Sequence, residues 1–348
     1  MRPRWDWLLF VQILAIGTIS LLIIFSITKS LATNQMVFWV AGLVILYISS
    51  QFDYENWKNL AIPVYAISLV FLLVLLVIGD PVRGSVRWID LGIFRFQPSE
   101  LAKAASIFLL ATFYRDKSAE QIKNLFVSFL IILPAIAMVL IQPDLGNTLA
   151  FFAIWLGISM AAGFKPKHMV ILFAAALIIG ISLFEMLAPY QKQRITSFID
   201  PTADPLGTGY NMIQSKIAVG SGGFLGKGFS RGSQSQLNFL PEAESDFIFA
   251  SIAEQLGFLG AGLLIALFAW MITRIIGIAK AKDKFAQLLV VGVASFLMLQ
   301  FLISVGMNMG ILPVTGITFP LVSYGGSSLL TTLFLLGVVF SVARKGTY

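Results

Sequence analysis

The chain has 348 residues, of which 58% are hydrophobic and only 12% charged, with a formal net charge of +7 and no cysteine. Soluble domains carry about 25% charged residues, so this composition excludes an ordinary soluble enzyme and points to an integral membrane protein. Disulfides and thiolate metal sites are excluded. The single histidine excludes a multi-histidine metal centre, and the positive charge reports membrane topology rather than nucleic-acid binding.

Apolar runs of about 20 residues without period-two alternation predict helices that cross a bilayer. Ten such spans are predicted, near 8–27, 36–52, 60–79, 99–114, 124–142, 145–163, 168–188, 247–273, 285–308 and 325–343. The fold class is therefore all-α and polytopic, with one membrane domain covering residues 1–348 and a long outer loop, 189–246, between the seventh and eighth spans. The first span is too long for a signal-peptide core and lacks a convincing cleavage site, so it is read as retained. Placing the N-terminus in the cytoplasm puts fourteen of the 24 basic residues in short inner loops or tails, as the positive-inside rule asks. Both termini are then cytoplasmic.

The basic residues that fall outside run against this bias. Arg83, Arg87 and Arg95 share the loop between the third and fourth spans, which also holds Trp88, Phe94 and Phe96 and reads as an interfacial segment. An anionic ligand at the outer leaflet would favour Arg there, because guanidinium binds phosphate bidentately. The plainer alternative is loop charge balanced by Asp80 and Asp90. The fourth span opens Gln97-Pro98-Ser99-Glu100-Leu101-Ala102-Lys103, with Glu100 and Lys103 three apart on one helix face. A buried ion pair adds little stability, so its presence favours a polar cavity. Asp144, in the tight turn Gln142–Gly146, either caps the sixth helix or supports that cavity.

The long outer loop carries QSKIAVGSGGFLGKG, with Lys216 and Lys227. It fails the Walker pattern, because Ser221 stands where a glycine is required and Gly228 where Ser or Thr should follow the lysine. Its glycines either bring backbone N–H groups to a phosphate or only permit a tight turn. The loop ends in the acidic cluster Glu242, Glu244 and Asp246, directly before an apolar helix. A carboxylate at that border is costly to desolvate and reads as functional. Alternatively, Ser245 or Asp246 is a helix cap. Finally, Met307 to Ser328 interrupts an apolar region with prolines and glycines beside Asn308, Ser323 and Tyr324, as a broken segment lining a cavity would.

Five stretches carry a specific resemblance: RWIDLGIFRFQPSELAK (87–103), QPDLGN (142–147), DPLGTGYNMIQSKIAVGSGGFLGKGF (204–229), SQSQLNFLPEAESDFIFA (233–250) and LPVTGITFPLVSYGGSS (312–328). With these the chain resembles the SEDS family (shape, elongation, division and sporulation) over essentially its whole length, and its rod-shape branch rather than its division branch. Two departures are visible. Glu244 and Ser245 stand where the family often has His and Thr, and Thr318-Phe319 replaces a more usual Pro-Leu.

The resemblance implies a peptidoglycan glycosyltransferase of the bacterial cytoplasmic membrane that polymerises lipid II at the outer face. It implies a class B penicillin-binding protein of the elongation type as partner, with other elongasome components. It assigns the general base to Asp246. Substrate contacts are expected at Arg83, Arg87, Glu100, Lys103, Asp144, Lys216, Lys227, Glu242, Ser323 and Tyr324. A divalent cation, Mg2+ or Mn2+, would bridge pyrophosphate to a carboxylate, although no ligand set in the sequence identifies it. A lipid II flippase and a non-catalytic scaffold are the competing readings.

Overall fold

The computed structural model describes residues 5–78, 87–90, 92, 95–165, 167, 170, 192, 196–205, 207, 209–280 and 283–345. These form a helical bundle with one small hairpin. Helices α1 (Trp7–Ile27), α2 (Lys29–Gln51) and α3 (Asn56–Ile78) precede strands β1 (Ile89–Asp90) and β2 (Arg95–Phe96). Then come α4 (Pro98–Arg115), α5 (Ile122–Ile141) and α6 (Leu145–Ala161). After the short helices α7 (Tyr210–Ser221) and α8 (Ser233–Gln236) follow α9 (Ile248–Ala279), α10 (Lys284–Asn308) and α11 (Gly326–Lys345). Nine predicted spans coincide with helices among the described residues, and the seventh, 168–188, lies outside them apart from Val170. Among the described residues, seven helices are long and apolar enough to cross a membrane, while Leu145–Ala161 is shorter.

Packing follows the apolar faces. α11 lies along α2, α3 along α4, and α10 against α6, α9 and α4. Small residues bring helices close, as at Gly157 against Ser295 and Gly337 against Ser49. Trp57 stacks on Phe108 with centroids 4.9 Å apart, and Phe334 meets its edge. The opposite faces of α2 and α3 expose Val37, Val40, Ile48, Ile62 and Val70, as helices against lipid do. At the opposite end of α10 from Asn308, Tyr54 donates to Asp283 Oδ2 at 2.6 Å, and Asp283 caps α10. Burial, and then that hydrogen bond, push the Tyr54 phenol pKa upward.

Two elements differ from the sequence reading. α2 begins seven residues before the predicted span, so Lys29 lies in its first turn rather than in a loop; this polar extension carries Gln35 to the site described below. The eighth span is not one continuous helix. At Gly257 the backbone turns to φ 65°, ψ −166°, a region open essentially to glycine alone. The break frees backbone groups, and the glycine-rich loop 222–228 takes them up. Lys227 N donates to Glu254 O at 3.0 Å and Gly228 N to Gln255 O at 3.1 Å. Phe258 N donates to Gly223 O at 2.9 Å and Leu259 N to Phe224 O at 3.2 Å. The glycines of this loop thus permit backbone to meet backbone. A Cβ on Gly257 would stand 2.2 Å from Gly226 N. Gly257→Ala is expected to undock the loop, through strain of about 1–3 kcal/mol plus that clash. Faster hydrogen exchange at the Lys227 and Gly228 amides would register it; unchanged exchange would mean the loop is held by other contacts.

Candidate active site

Asp246 ends a tight series of turns before α9, half-buried, with Phe247 in the N-cap position. Phe247 has no side chain to cap with, so neither Ser245 nor Asp246 occupies the capping position allowed for above. The start of α9 is capped from another helix. Asn308, fully buried at the end of α10, accepts from Ala250 N at 2.9 Å and donates to the Asp246 carbonyl at 2.9 Å. It also donates to Ser304 O at 2.7 Å, and its own carbonyl accepts from Ser215 on α7 at 2.7 Å.

The turn itself is built from Glu242, whose φ of 55° lets its carbonyl accept from both Ser245 N and Phe247 N. Its carboxylate accepts from Ser245 Oγ at 3.1 Å. Ser323 and Tyr324 hold the turn from the opposite side. Ser323 Oγ donates to Ser245 O at 2.6 Å, and Tyr324 N donates to Glu244 O at 2.8 Å. Their loop is pinned in turn by Ser20 on α1, which donates to Val322 O, and by Gln35, which donates to Ser323 O.

The cationic side of the site comes from Arg87, two residues before the hairpin. A Cβ placed on Gly316 would lie 3.7 Å from Asp246 Oδ2 and 3.9 Å from Arg87 Nη1. Carboxylate and guanidinium therefore converge on one point, left open because Gly316, at φ 74°, has no side chain. Arg87 Nη2 donates to Pro143 O, and Nε stands 3.8 Å from Asp144 Oδ2. Asp144 caps α6, accepting from Asn147 N at 3.1 Å, and also joins this network.

Behind Asp144 the network runs into the protein interior. Asn147 Nδ2 donates to Asp144 Oδ2 at 2.7 Å, and Lys103 Nζ donates to Asn147 Oδ1 at 2.6 Å and to Glu100 Oε1 at 2.8 Å. Lys103 is completely buried and lies over the Phe296 ring at 4.8 Å. Pro98 at the first position of α4 and the i,i+3 spacing set this geometry. Glu100 Oε2 is buried without a hydrogen-bond partner. Gln97 ties the start of α4 to α11 through Ser327.

The remaining sequence candidates separate from this cluster. Lys227 pairs with Glu254 Oε1 at 3.0 Å and donates to Ser233 Oγ at 3.1 Å. Glu254, fully buried on α9, also accepts from Gln234 N and from the amide and hydroxyl of Ser235. The Lys227 ammonium is thus bound to a carboxylate, which the sequence reading did not anticipate. Lys216 is exposed on α7, with its alkyl chain against Gly310. Arg95 pairs with Asp90 at 3.5 Å on the surface, so its charge is balanced within the hairpin. Arg83 lies outside the described residues. Among the described residues no three His, Asp or Glu side chains gather as a metal cage.

Sequence reasoning missed Glu254, although a carboxylate inside the apolar run FASIAEQLG is a signal in itself. It listed Asn308 only as a polar neighbour, since its role depends on α10 ending behind Asp246. Asn308→Leu is expected to cost about 1–3 kcal/mol by leaving Ala250 N and the Asp246 carbonyl unsatisfied. A lowered thermal midpoint would show it, and an unchanged midpoint would mean that water replaces the amide.

Comparison with known proteins places this geometry. Residues 5–348 match the cell cycle protein family model of FtsW, RodA and SpoVE. The peptidoglycan glycosyltransferase MrdB of Escherichia coli K12 is 40% identical, covering 86% of this chain and 82% of that protein. Stage V sporulation protein E of Bacillus subtilis is 36% identical, covering 99% and 98%. The solved rod shape determining protein RodA of Thermus thermophilus superposes with a TM-score of 0.76 at 28% identity, covering 99% and 98%. A chain of a peptidoglycan synthase complex, in which polymerization and crosslinking are coordinated, superposes at 0.86 with 32% identity, covering 99% and 98%. A family match across nearly the full length, with the fold to accompany it, shows that the chain belongs to the FtsW/RodA/SpoVE family of cell cycle proteins, the SEDS family.

Proposed function

We propose that the chain is a peptidoglycan glycosyltransferase that polymerises lipid II during cell elongation. The observation that carries this reading is the convergence of the Asp246 carboxylate and the Arg87 guanidinium on the open point at Gly316. Relatives named peptidoglycan glycosyltransferase, 31–40% identical over most of the chain, supply the chemistry to which that geometry is matched.

In the proposed reaction the acceptor sugar hydroxyl attacks the anomeric carbon of the donor, and Asp246 takes the hydroxyl proton as general base. The bond from that carbon to the pyrophosphate oxygen breaks, and undecaprenyl pyrophosphate leaves with the electron pair. A single displacement converts the α-linked donor into a β-1,4 glycan. Arg87 meets the negative charge that grows on the leaving group, with Arg83 and Lys216 as further contacts to more distant parts of the substrate. Glu100, Lys103 and Asp144 act behind Arg87, fixing it through Asn147. Glu242, Ser323 and Tyr324 hold the turn that presents Asp246. A divalent cation, Mg2+ or Mn2+, fits the mode in which one carboxylate and substrate phosphates complete the coordination shell. Such a cation would neutralise pyrophosphate charge and leave the proton transfer to Asp246.

The site faces the outside of the cytoplasmic membrane in this reading, both termini lie in the cytoplasm, and residues 1–348 act as one membrane domain. The partner is a class B penicillin-binding protein of the elongation type, within the elongasome; the solved synthase complex, which coordinates polymerization and crosslinking, supports a crosslinking partner. Purified chain with that partner, labelled lipid II and Mg2+ should give a ladder of glycan polymer on a gel. Absence of polymer with the partner bound, together with transfer of lipid II between leaflets of proteoliposomes, would overturn the reading in favour of transport.

A further inference from the structure

The docked loop at the α9 break has a second face. Four of its backbone polar groups pair with α9, as described, and its apolar side chains are exposed. Phe224 is 63% exposed and Leu225 73%. Phe224 stacks on Phe258 at 5.9 Å, itself 68% exposed, and the apolar surface continues down α9 through Leu259 and Leu263. The one charge between Gly222 and Gly228, Lys227, is drawn inward to Glu254.

This arrangement meets the demand that hydrocarbon makes of irregular chain. Non-helical backbone survives at membrane depth only where its N–H and C=O groups are satisfied by protein. Here the break and the loop satisfy each other, which leaves an apolar exterior. The portion of α9 from Phe258 to Ala279 measures about 33 Å at 1.5 Å per residue, close to the thickness of a hydrocarbon core. The break therefore falls at the rim of that core, on the side of Asp246.

We propose that residues 222–229 form a wedge immersed in the leaflet on the side of the active site, with Phe224, Leu225 and Phe258 against acyl chains. The partner is the bilayer itself. Continuity with the exposed face of a membrane-spanning helix identifies it, and the inward turn of Lys227 agrees. The wedge fixes the height of α9, and with it the height of Asp246 above the bilayer. It rests on the chain spanning a membrane and not on glycosyl transfer.

The chain contains no cysteine, so single labels can be introduced without removing native ones. Leu225→Cys and, as an exposed control, Arg231→Cys would carry nitroxides in full-length protein reconstituted into phospholipid vesicles. Collision with oxygen and with a water-soluble nickel chelate would be measured by electron paramagnetic resonance. The expected result is nickel collision at Leu225 an order of magnitude below that at Arg231, with oxygen collision retained. Equal nickel collision at both positions would overturn the proposal. Shielding of Leu225 from both reagents would also overturn it, because a protein surface would then be the occupant.

Discussion

Asp246→Asn should abolish glycan polymerisation while leaving the fold intact. The amide keeps the size of the carboxylate but cannot take a proton from the acceptor hydroxyl. Loss of a general base costs about 100-fold to 10,000-fold in rate, and with a poor nucleophile such as a sugar hydroxyl the upper end is expected. The fold survives because the turn is held by bonds that do not use the carboxylate: Ser323 to Ser245 O, the Tyr324 amide to Glu244 O, and Asn308 to the Asp246 carbonyl. Three measurements together decide the matter: polymer from labelled lipid II, the thermal midpoint, and retention of the penicillin-binding partner. Polymer at the wild-type rate would assign the base to another residue. A large fall in midpoint would recast Asp246 as structural.

The second large effect is expected at Lys103, and it should strike stability and activity together. Lys103→Met removes the ammonium that satisfies Glu100 Oε1 and Asn147 Oδ1 at zero exposure. Breaking a buried ion pair by deleting one partner costs about 3–5 kcal/mol, because the remaining charge is stranded. Asn147 also loses the contact that orients it toward Asp144, and Arg87 then loses its fixed partner. Glu100→Gln combined with Lys103→Met separates the two effects. The double variant should recover most of the thermal midpoint, since neither charge is left alone. Polymerisation should stay low, since Asn147 is still unanchored. Recovery of both would reduce the pair to a packing device, and recovery of neither would place Lys103 in direct contact with substrate.

Local features were legible where one short stretch decides them. The i,i+3 pair in α4 and the Asp144 cap are written in consecutive residues, and the structure has both. The turn at Asp246 was legible as a border between polar and apolar chain. What could not be read was pairing between distant stretches. Lys227 looked like a phosphate ligand because nothing nearby in sequence opposes it; its carboxylate partner arrives 27 residues later, on a helix that must first break at Gly257. Arg87 and Asp246 are separated by 159 residues in sequence, and they meet beside Gly316 only in the folded bundle. The glycines of 222–228 advertised conformational freedom without saying whether an anion or another backbone would use it.

The junction at Asn308 makes the head of α9 and the tail of α10 a single mechanical part. One side chain grips the carbonyl of Asp246, the first turn of α9 and its own helix, while its backbone holds α7. Such a clamp transmits translation and resists rotation. Displacing α10 along its axis carries Asp246 with it, so the gap to Arg87 changes by sliding of whole helices rather than by a rotamer change. The spacing between base and cation is then a property of the bundle, and any load applied to α10 is felt at the carboxylate.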